Sequence, residues 1–215
     1  MKIINKKNLS LDFIKSEKLV NYNDAISFME DRVEKILKKK ENEAIWFLEH
    51  PSLFTAGRSF AAKKSHLQDI PIFNSGRGGK MTWHGPGQRI VYFMIDIKKR
   101  NLDIRSFVSK LEIYIMESLL ELKIQTFKKE KLIGIWTKDP NHNDAKIASL
   151  GLRVSRGIIY HGISININCD LSLFKKIDVC GLKNSHVTSI FSLQSDTLIS
   201  NVDKILEKNI SSIFT

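Results

Sequence analysis

The order of the predicted elements favours an α+β fold. The clearest helix covers residues 103–122, where apolar side chains recur at helical spacing on one face and Asp103 is suited to cap the first turn. Two strand-like runs, residues 146–154 and 158–168, flank Ser155-Arg156-Gly157, and this arrangement is a hairpin signal. Because strands pair locally while helices stand apart from them, the pattern indicates α+β and not a doubly wound parallel sheet.

The remaining elements complete this order along the chain. Residues 24–40 have the spacing of an amphipathic helix that Asp24 could cap, and residues 197–214 close the chain as a third helix. Buried strands are predicted at residues 44–48, 89–97 and 132–137. Residues 74–88 are rich in glycine and are predicted to be loop, and residues 138–144 are predicted to form a polar turn.

Length and composition limit the class of protein. With 215 residues and 42% hydrophobic side chains, residues 1–215 are expected to form a single domain with a substantial core. The N-terminus lacks the apolar stretch of a secretory signal, and the longest apolar run is far shorter than the ~20 residues that span a bilayer. We therefore expect a cytoplasmic protein with no membrane association.

A net charge of +11 favours acidic partners, either nucleic acid or an acidic carrier protein. The lysines and arginines are scattered along the chain and do not form a concentrated basic face, which argues against a nucleic-acid-binding module.

Two cysteines and six histidines are candidates for metal-binding or catalytic chemistry. Cys169 and Cys180 do not form a CxxC pair and the histidines lack ligand spacing, so no metal site is predicted. Either thiol could be a nucleophile, and either could be an inert core cysteine. His84, His161 and His186 are possible bases, and spacing does not choose among them.

The first cluster suited to chemistry is the glycine-rich run of residues 76–88. Glycines at this density let the backbone approach a ligand and present its N–H groups. The run is not a Walker A loop, because Asn74 stands where that motif needs glycine and Met81 where it needs Ser or Thr. Its glycine spacing also differs from the dinucleotide fingerprint.

Two further clusters each place one reactive side chain near glycine. Lys146 begins an apolar run that ends at Gly151, where the lysine is either partly buried or a solvated strand end. Cys180 lies in Asp178-Val179-Cys180-Gly181-Leu182, where the neighbouring glycine leaves room for a substrate at the sulfur.

Taken together, these clusters resemble the octanoyl-acyl-carrier-protein:protein N-octanoyltransferases of lipoate synthesis. The pattern of that family is an RGG-x-x-T-Y-H-G-P-G-Q loop, then K-I-x-x-x-G with R-G-x-x-x-H-G, then C-G before a Thr-Ser segment. The matching residues are 77–88, then 146–151 with 156–162, then 180–181 with 187–189. Trp83 replaces the usual tyrosine, Val179 replaces the common proline, and residues 138–144 look longer than the usual loop.

The resemblance implies a role for each cluster. Cys180 would be the nucleophile that carries the acyl group as a thioester, and Lys146 would be its partner. The fold would be that of the biotin and lipoate ligases, a mixed sheet with helices packed mainly on one side. The acyl pocket would be lined by Arg77, Gly78, Gly79, Lys80, Met81, Thr82, Trp83, His84, Ser149, Leu150, Gly151, Gly162, Ile163 and Ser164.

The resemblance also implies the substrates. The octanoyl donor would be acyl carrier protein, and the acceptor a lysine on the lipoyl domains of 2-oxoacid dehydrogenase and glycine cleavage complexes, with no metal, cofactor or nucleic acid. A thiolate would exchange one thioester for another, and the lysine amine would then form a more stable amide, so no ATP is needed. Two alternatives are a lipoate or biotin ligase, which would bind ATP and need no cysteine, and a cysteine hydrolase, which would release octanoate.

Overall fold

The computed structural model describes residues 2–6, 11–60, 66–178 and 186–214. Among the described helices, none is both long and apolar enough to cross a bilayer. The α-helices are α1 (Tyr22–Leu37), α2 (Ile104–Glu121), α3 (Ile190–Leu193) and α4 (Ile199–Asn209), and short 3₁₀ segments cover Leu171–Lys176 and Ile210–Ile213. The strands are β1 (Lys2–Lys6), β2 (Leu11–Lys15), β3 (Glu43–Leu48), β4 (Leu53–Ala56), β5 (His66–Leu67), β6 (Ile70–Asn74), β7 (Met81–His84), β8 (Gln88–Asp96), β9 (Phe127–Lys129), β10 (Leu132–Lys138), β11 (Asp144–Ser155), β12 (Ile158–Asn166) and β13 (His186–Val187).

Within these ranges the strands form one large mixed sheet and one smaller sheet. The large sheet has the order β1-β2-β3-β8-β12-β11-β10-β9, with β13 beside β11. Its β2–β3 and β11–β13 pairs are parallel, and the other neighbours are antiparallel. The smaller sheet has the order β5-β6-β4-β7. The mixed sheets and separate helices confirm the predicted α+β class.

Alternating residues of β3 show how the helices cover the large sheet. Trp46 packs in one apolar cluster with Met29 of α1, whereas Phe47 belongs to the opposite cluster with Phe107 of α2 and Leu206 of α4. This alternation follows from the two-residue period of a strand, which turns successive side chains to opposite faces. Helix α1 therefore covers one face, and α2, α3 and α4 contribute to the other, so most of the helices lie on one side.

Most predicted elements are present, with small changes at their ends. The predicted buried strands are β3, β8 and β10, each displaced by no more than one residue at either end. Helix α2 begins after Asp103, whose carboxylate accepts the backbone N–H groups of Arg105 at 2.7 Å and Ser106 at 2.9 Å, as the N-cap prediction requires. Helix α1 is capped by Asn21 and not by Asp24, because the Asn21 side chain accepts a backbone N–H two residues later.

The predicted hairpin is formed by β11 and β12, with Ser155 opposite Ile158. Arg156 and Gly157 fill the turn with φ values of 50° and 93°, and two left-handed residues are what a two-residue type I′ turn requires. Lys146 lies near the start of β11, at the end of the hairpin away from this turn.

The smaller sheet was not predicted, and the loop prediction for residues 74–88 is wrong in one part. Residues Met81–His84 form β7, which pairs with β4 so that Leu53 lies opposite His84 and Ala56 opposite Met81. A strand of four residues gives too short a pattern to separate from loop sequence, and glycines on both sides hide it further. Residues 75–80 remain irregular and are called the glycine loop below.

A buried ion pair fastens α4 to the middle of the large sheet. Arg89 of β8 donates from Nε to Asp203 Oδ1 at 2.8 Å and from Nη2 to Oδ2 at 3.1 Å, and both side chains are buried. Lys15 lies 2.6 Å from the same carboxylate, and Glu49 lies 3.6 Å from Arg89. Removing one member of such a pair leaves a buried charge without full compensation, which is strongly destabilising.

We predict that Asp203→Ala lowers the free energy of unfolding by about 3 kcal/mol, because the Arg89 guanidinium stays buried after its bidentate partner is lost. The control is Glu121→Ala, which removes the exposed pair of Glu121 with Lys208 and should have a much smaller effect because solvent screens that pair. Urea denaturation of both variants measures the difference. Equal losses would contradict the prediction.

Candidate active site

A cavity of about 400 Å³ lies where the glycine loop, the β11–β12 hairpin, β10 and the first turns of α2 meet. Lys146 lines it, together with every predicted pocket residue except Trp83: Arg77, Gly78, Gly79, Lys80, Met81, Thr82, His84, Ser149, Leu150, Gly151, Gly162, Ile163 and Ser164. The cavity therefore joins clusters that are far apart in sequence.

A close approach of two backbones forms one wall of the cavity. The N–H of Gly78 donates to the carbonyl of Leu152 in β11 at 2.8 Å, so the glycine loop lies directly on the hairpin. A Cβ on Gly151 would stand 2.9 Å from Arg77 Cδ, closer than ordinary van der Waals contact, and would touch the Gly78 carbonyl oxygen at 3.4 Å. Glycine at this position lets the loop and the strand meet.

The expectation that Trp83 lines the pocket needs correction. Its indole packs on the other side of β7 with Phe54 and Phe174, and its Nε1 donates to the Ser52 hydroxyl at 3.0 Å. The reason is the strand that the loop prediction missed, because alternation in β7 turns Trp83 away from the cavity and leaves His84 beside it. The replacement of the usual tyrosine by Trp83 therefore does not remove a hydroxyl group from the cavity lining.

Arg77 determines the path of the glycine loop. Its Nε and Nη2 donate to the Thr55 hydroxyl at 3.2 and 2.7 Å, Nη2 donates to the Thr55 carbonyl at 2.7 Å, and Nη1 donates to the Gly78 carbonyl at 2.8 Å. Desolvation of the buried guanidinium lowers the pKa of Arg77 from its ordinary value, yet arginine remains charged. Its donors bind the protein's own backbone and hydroxyl groups, so Arg77 shapes the cavity wall.

Further hydrogen bonds lead from Thr55 across to the large sheet. The Thr55 hydroxyl lies 3.3 Å from His84 Nε2, and His84 Nδ1 lies 2.7 Å from Gln88 Oε1. The Gln88 amide donates to Asn166 Oδ1 at 2.9 Å, and the Asn166 amide donates to the Thr188 carbonyl at 3.0 Å. We call this set the Arg77–Thr188 hydrogen-bond chain.

The direction of each bond in this chain follows from its first member. Because Arg77 has only donors, Thr55 accepts from it, and the one Thr55 hydrogen is directed to His84 Nε2. The imidazole hydrogen then resides on Nδ1, where the Gln88 oxygen accepts it. At the far end, Thr188 donates its backbone N–H to the Lys146 carbonyl at 3.0 Å. The chain therefore connects the glycine loop with the strand that carries Lys146.

Three histidines are buried near one another: His50 and His161 contact the Tyr92 ring, and His84 packs beside His50. Burial lowers the pKa of His50 to about 4 and the pKa values of His84 and His161 to about 3. Neutral imidazoles with such low pKa values accept protons poorly near pH 7, which disfavours His84 and His161 as general bases. His186, the third possible base, is exposed in β13 beside β11.

Lys146 is buried, which decides between the two interpretations left open by the sequence. Its side chain is 4% exposed although it carries an ammonium group. The Nζ atom donates to the Ile133 carbonyl of β10 at 2.6 Å and lies 5.7 Å from the centre of the Trp136 ring. The ammonium is therefore held at the cavity wall and not in bulk solvent.

The structure describes one of the two cysteines, Cys169. Cys169 is largely buried, and desolvation raises the pKa of its thiol to about 12, so it is a poor nucleophile near neutral pH. Cys180 lies outside the described residues, together with Val179 and Gly181. Its predicted role as nucleophile stays a prediction.

Sequence reasoning did not assign several lining residues to the pocket: Tyr22, Ser59, Ile90, Tyr92, Ile104, Val108, Lys131, Leu132, Ile133, Leu152 and His161. The exposure of Ile104 is visible only in the structure. This apolar residue lies in the exposed first turn of α2, where it has 46% of its surface in solvent. Among residues 11–60, 66–178 and 186–214, no group of three His, Cys, Asp or Glu side chains is placed to hold a metal ion.

Known proteins share this fold and much of this sequence. The family model described as Lipoyl protein ligase A/B catalytic domain matches residues 21–211. An octanoyltransferase of Bartonella tribocorum is 42% identical over 209 residues, which cover 93% of this chain and 85% of that protein. An octanoyltransferase of Wolbachia sp. subsp. Brugia malayi is 41% identical over 205 residues, which cover 95% of this chain and 100% of that protein.

Solved structures give the same fold at low sequence identity. A lipoate-protein ligase A bound with ATP superposes with a TM-score of 0.68 at 16% identity, covering 93% of this chain and 84% of that chain. A biotin protein ligase from Aquifex aeolicus superposes with a TM-score of 0.53 at 11% identity, covering 96% and 69%. The fold is thus that of the lipoate and biotin protein ligases, as predicted.

Sequence similarity assigns the chain to a narrower group of proteins than the fold does. The chain belongs to the lipoyl protein ligase A/B catalytic domain family, and its octanoyltransferase relatives make it an acyltransferase enzyme.

We predict that acid weakens the fold through His161. Its pKa is lowered to about 3, mainly by desolvation and also by the nearby charges of Arg77 and Arg153. An imidazole in the unfolded chain has a pKa near 6.5. The unfolded chain therefore binds more protons between these values, and stability is lost as the pH falls from about 6.5 towards about 3. His161→Asn should reduce the slope of unfolding free energy against pH near pH 5 by about 1.4 kcal/mol per pH unit.

Urea denaturation of wild type and His161→Asn at several pH values between 4.5 and 6 tests this. The two slopes should differ by an amount that corresponds to about one proton. Asparagine is suited to the left-handed backbone at this position, where φ is 64°. The same slope in both proteins would show that protonation of His161 does not contribute to the loss of stability in acid.

Proposed function

We propose that the enzyme transfers an octanoyl group from acyl carrier protein to a lysine of lipoyl domains, through a thioester on Cys180. The observation that carries the proposal is the cavity that unites the glycine loop with the buried ammonium of Lys146. A cavity of about 400 Å³ falls in the range that binds small organic ligands, ~300–1,000 Å³.

The walls of the cavity suit an alkyl chain. Ile104, Val108, Leu132, Leu150 and Ile163 supply apolar surface, and no carboxylate lines the cavity among the described residues. Burying an alkyl chain against such surface contributes about 0.8 kcal/mol for each methylene group. An acyl chain of eight carbons can thus be bound largely by its methylene groups, while the thioester stays near the polar edge.

Lys146 suits a proton-transfer role in both halves of the reaction. The Cys180 thiolate attacks the donor carbonyl, the carbon–sulfur bond to pantetheine breaks, and Lys146 protonates the leaving thiolate. In the second half, the amine of the acceptor lysine attacks the Cys180 thioester and loses a proton to Lys146. The carbon–sulfur bond to Cys180 breaks, the new bond is an amide, and Cys180 leaves as the thiolate that began the cycle. Neither half requires ATP or a metal.

Charge supports protein partners that are acidic. The chain carries a net charge of +11, and Lys80 and Lys131 are exposed at the cavity. Such charges steer acidic proteins to a site mainly by raising the association rate. We assign acyl carrier protein as donor and, as acceptors, the lipoyl domains of 2-oxoacid dehydrogenase and glycine cleavage complexes. We also propose that residues 1–215 form a single domain and that the enzyme acts in the cytoplasm, where thiols remain reduced.

A ligase reaction is the second candidate, because solved ligases share the fold and one of them has ATP bound. The transferase is favoured by sequence identity, which is 42% to an octanoyltransferase and 16% to that ligase. Because burial raises the pKa of the Cys169 thiol, the proposal assigns the nucleophile to Cys180.

We predict that Cys180→Ala abolishes formation of an octanoyl adduct, whereas Cys169→Ala retains most of it. Intact mass spectrometry after mixing each protein with octanoyl-acyl carrier protein detects the adduct, and peptide mapping places it. Cys169→Ala is the matched control because it deletes the other thiol, which lies at a partly buried site. An adduct on Cys169, or none on the wild type, would overturn the assignment of the nucleophile.

We predict that Lys146→Met moves the alkylation of Cys180 by iodoacetamide to higher pH. A neighbouring ammonium favours the thiolate, and an opposite charge within reach typically shifts a titration by ~1–3 pH units. Burial raises the pKa of the Cys169 thiol to about 12, so we expect its alkylation at higher pH, and peptide mapping reports the two cysteines separately. The rate of alkylation is measured against pH in both proteins. Superimposable curves would show that the two side chains are not coupled.

A further inference from the structure

Strand β10 departs from regular pairing beside Lys146. On one side, Ile135 lies opposite Ala148 and Trp136 opposite Lys146, so β11 has one extra residue between these pairs. On the other side, Leu132 lies opposite Lys129 and Trp136 opposite Phe127 of β9. Strand β10 therefore has two extra residues between these pairs and forms a bulge there, called the β10 bulge below. Bulges of this kind re-aim the backbone and are frequent next to active sites.

The bulge brings three features of β10 to the Lys146 side chain. The Ile133 carbonyl accepts a hydrogen bond from Nζ at 2.6 Å, and the Trp136 ring centre lies 5.7 Å from Nζ. Between them, Gly134 has a φ of 132°, which L side chains rarely adopt. The side chain of Ile133 is 60% exposed and lines the cavity, so the same residue offers its carbonyl to the lysine and its apolar side chain to the ligand.

Gly134 leaves the space that the lysine occupies. A Cβ built at this position would lie 2.2 Å from Lys146 Cε and 2.7 Å from Nζ, which no packed side chain tolerates. It would also lie 2.8 Å from the Ala148 carbonyl oxygen. Any side chain at position 134 must therefore displace the ammonium, and the hydrogen bond to Ile133 would be lost with it.

We propose that Gly134 is a positioning residue for acyl transfer, because its missing side chain lets the β10 bulge hold the Lys146 ammonium at the cavity wall. This inference rests on the proposed function, in which Lys146 moves the protons. Gly134 touches no substrate and acts through Lys146. A lysine side chain has four rotatable bonds, and the bulge confines its end to one place before the substrate arrives.

Gly134→Ala is compared with Gly157→Ala, which makes the same change at another glycine of positive φ. Gly157 lies in the β11–β12 turn at φ 93°, and a Cβ there would also meet a lysine side chain, that of Lys98 at 3.0 Å. Both variants strain the backbone. Gly134→Ala is expected to lower kcat for octanoyl transfer on the order of 100-fold with little change in KM, because small misplacements of catalytic groups have effects of that size. Gly157→Ala should retain the wild-type kcat.

The double variant Gly134→Ala/Lys146→Ala separates positioning from damage to the fold. Shortening the lysine removes the Cε and Nζ atoms that the new Cβ would meet, so the double variant should recover stability relative to Gly134→Ala alone. In the Lys146→Ala background, Gly134→Ala should cause no further fall in the single-turnover rate of acyl-enzyme formation. This slow rate is measured by intact mass spectrometry over long reaction times.

Several outcomes would overturn the positioning role: a wild-type kcat in Gly134→Ala, an equal loss in Gly157→Ala, or a further loss of the same size in the Lys146→Ala background. If Gly134→Ala does not fold, failure of the double variant to regain stability would overturn it as well. A wild-type rate in Lys146→Ala would refute the proposed function and this role with it, whereas a wild-type rate confined to Gly134→Ala refutes the positioning role alone.

Discussion

The Arg77–Thr188 hydrogen-bond chain is the constraint on which the rest of the site depends. It begins in the glycine loop, crosses β4 and β7 of the smaller sheet, and ends beside the large sheet at Thr188. Each inner member both donates and accepts, so turning one of them would leave a neighbour without a partner, and a buried polar group without a partner is costly. Polar contacts, and not apolar packing alone, therefore set how the two sheets meet around the cavity.

Within that frame, backbone atoms place the chemical groups. Gly151 lets the glycine loop lie on β11, and the bulge of β10 turns the Ile133 carbonyl towards Lys146. The buried histidines His84 and His161 are neutral near pH 7 because burial lowers their pKa values to about 3. Lys146 is a buried cation at the wall next to the apolar lining, a group suited to the proton transfers of the proposed reaction.

The sequence predicted those features whose cause is local. Asp103 caps α2 because an aspartate at the start of a periodic run has N–H groups within reach, and Arg156-Gly157 turns the hairpin because the two residues tolerate left-handed backbone. The pocket residues followed from a family resemblance, which transfers positions and does not require geometry to be solved.

Features that depend on distant partners could not be read from local pattern. The direction in which Trp83 faces depends on the pairing of β7 with β4, and four residues carry too weak a period to reveal that strand. Ile104 and Ile133 meet at the cavity only because α2 and β10 are brought together by the sheet. The burial of Lys146 likewise depends on Gly134, whose φ has no signature in a single sequence.

The central claim is that the energy for amide formation comes from a protein-bound thioester and not from ATP. The most direct test loads the wild-type enzyme with one octanoyl group, removes the donor and all nucleotide, and adds a lipoyl domain. Mass spectrometry of the lipoyl domain then follows the second half of the reaction on its own. The octanoyl group is expected to move to a single lysine while the enzyme returns to its unmodified mass. Transfer that occurs only after ATP is added would contradict the central claim and would identify a ligase.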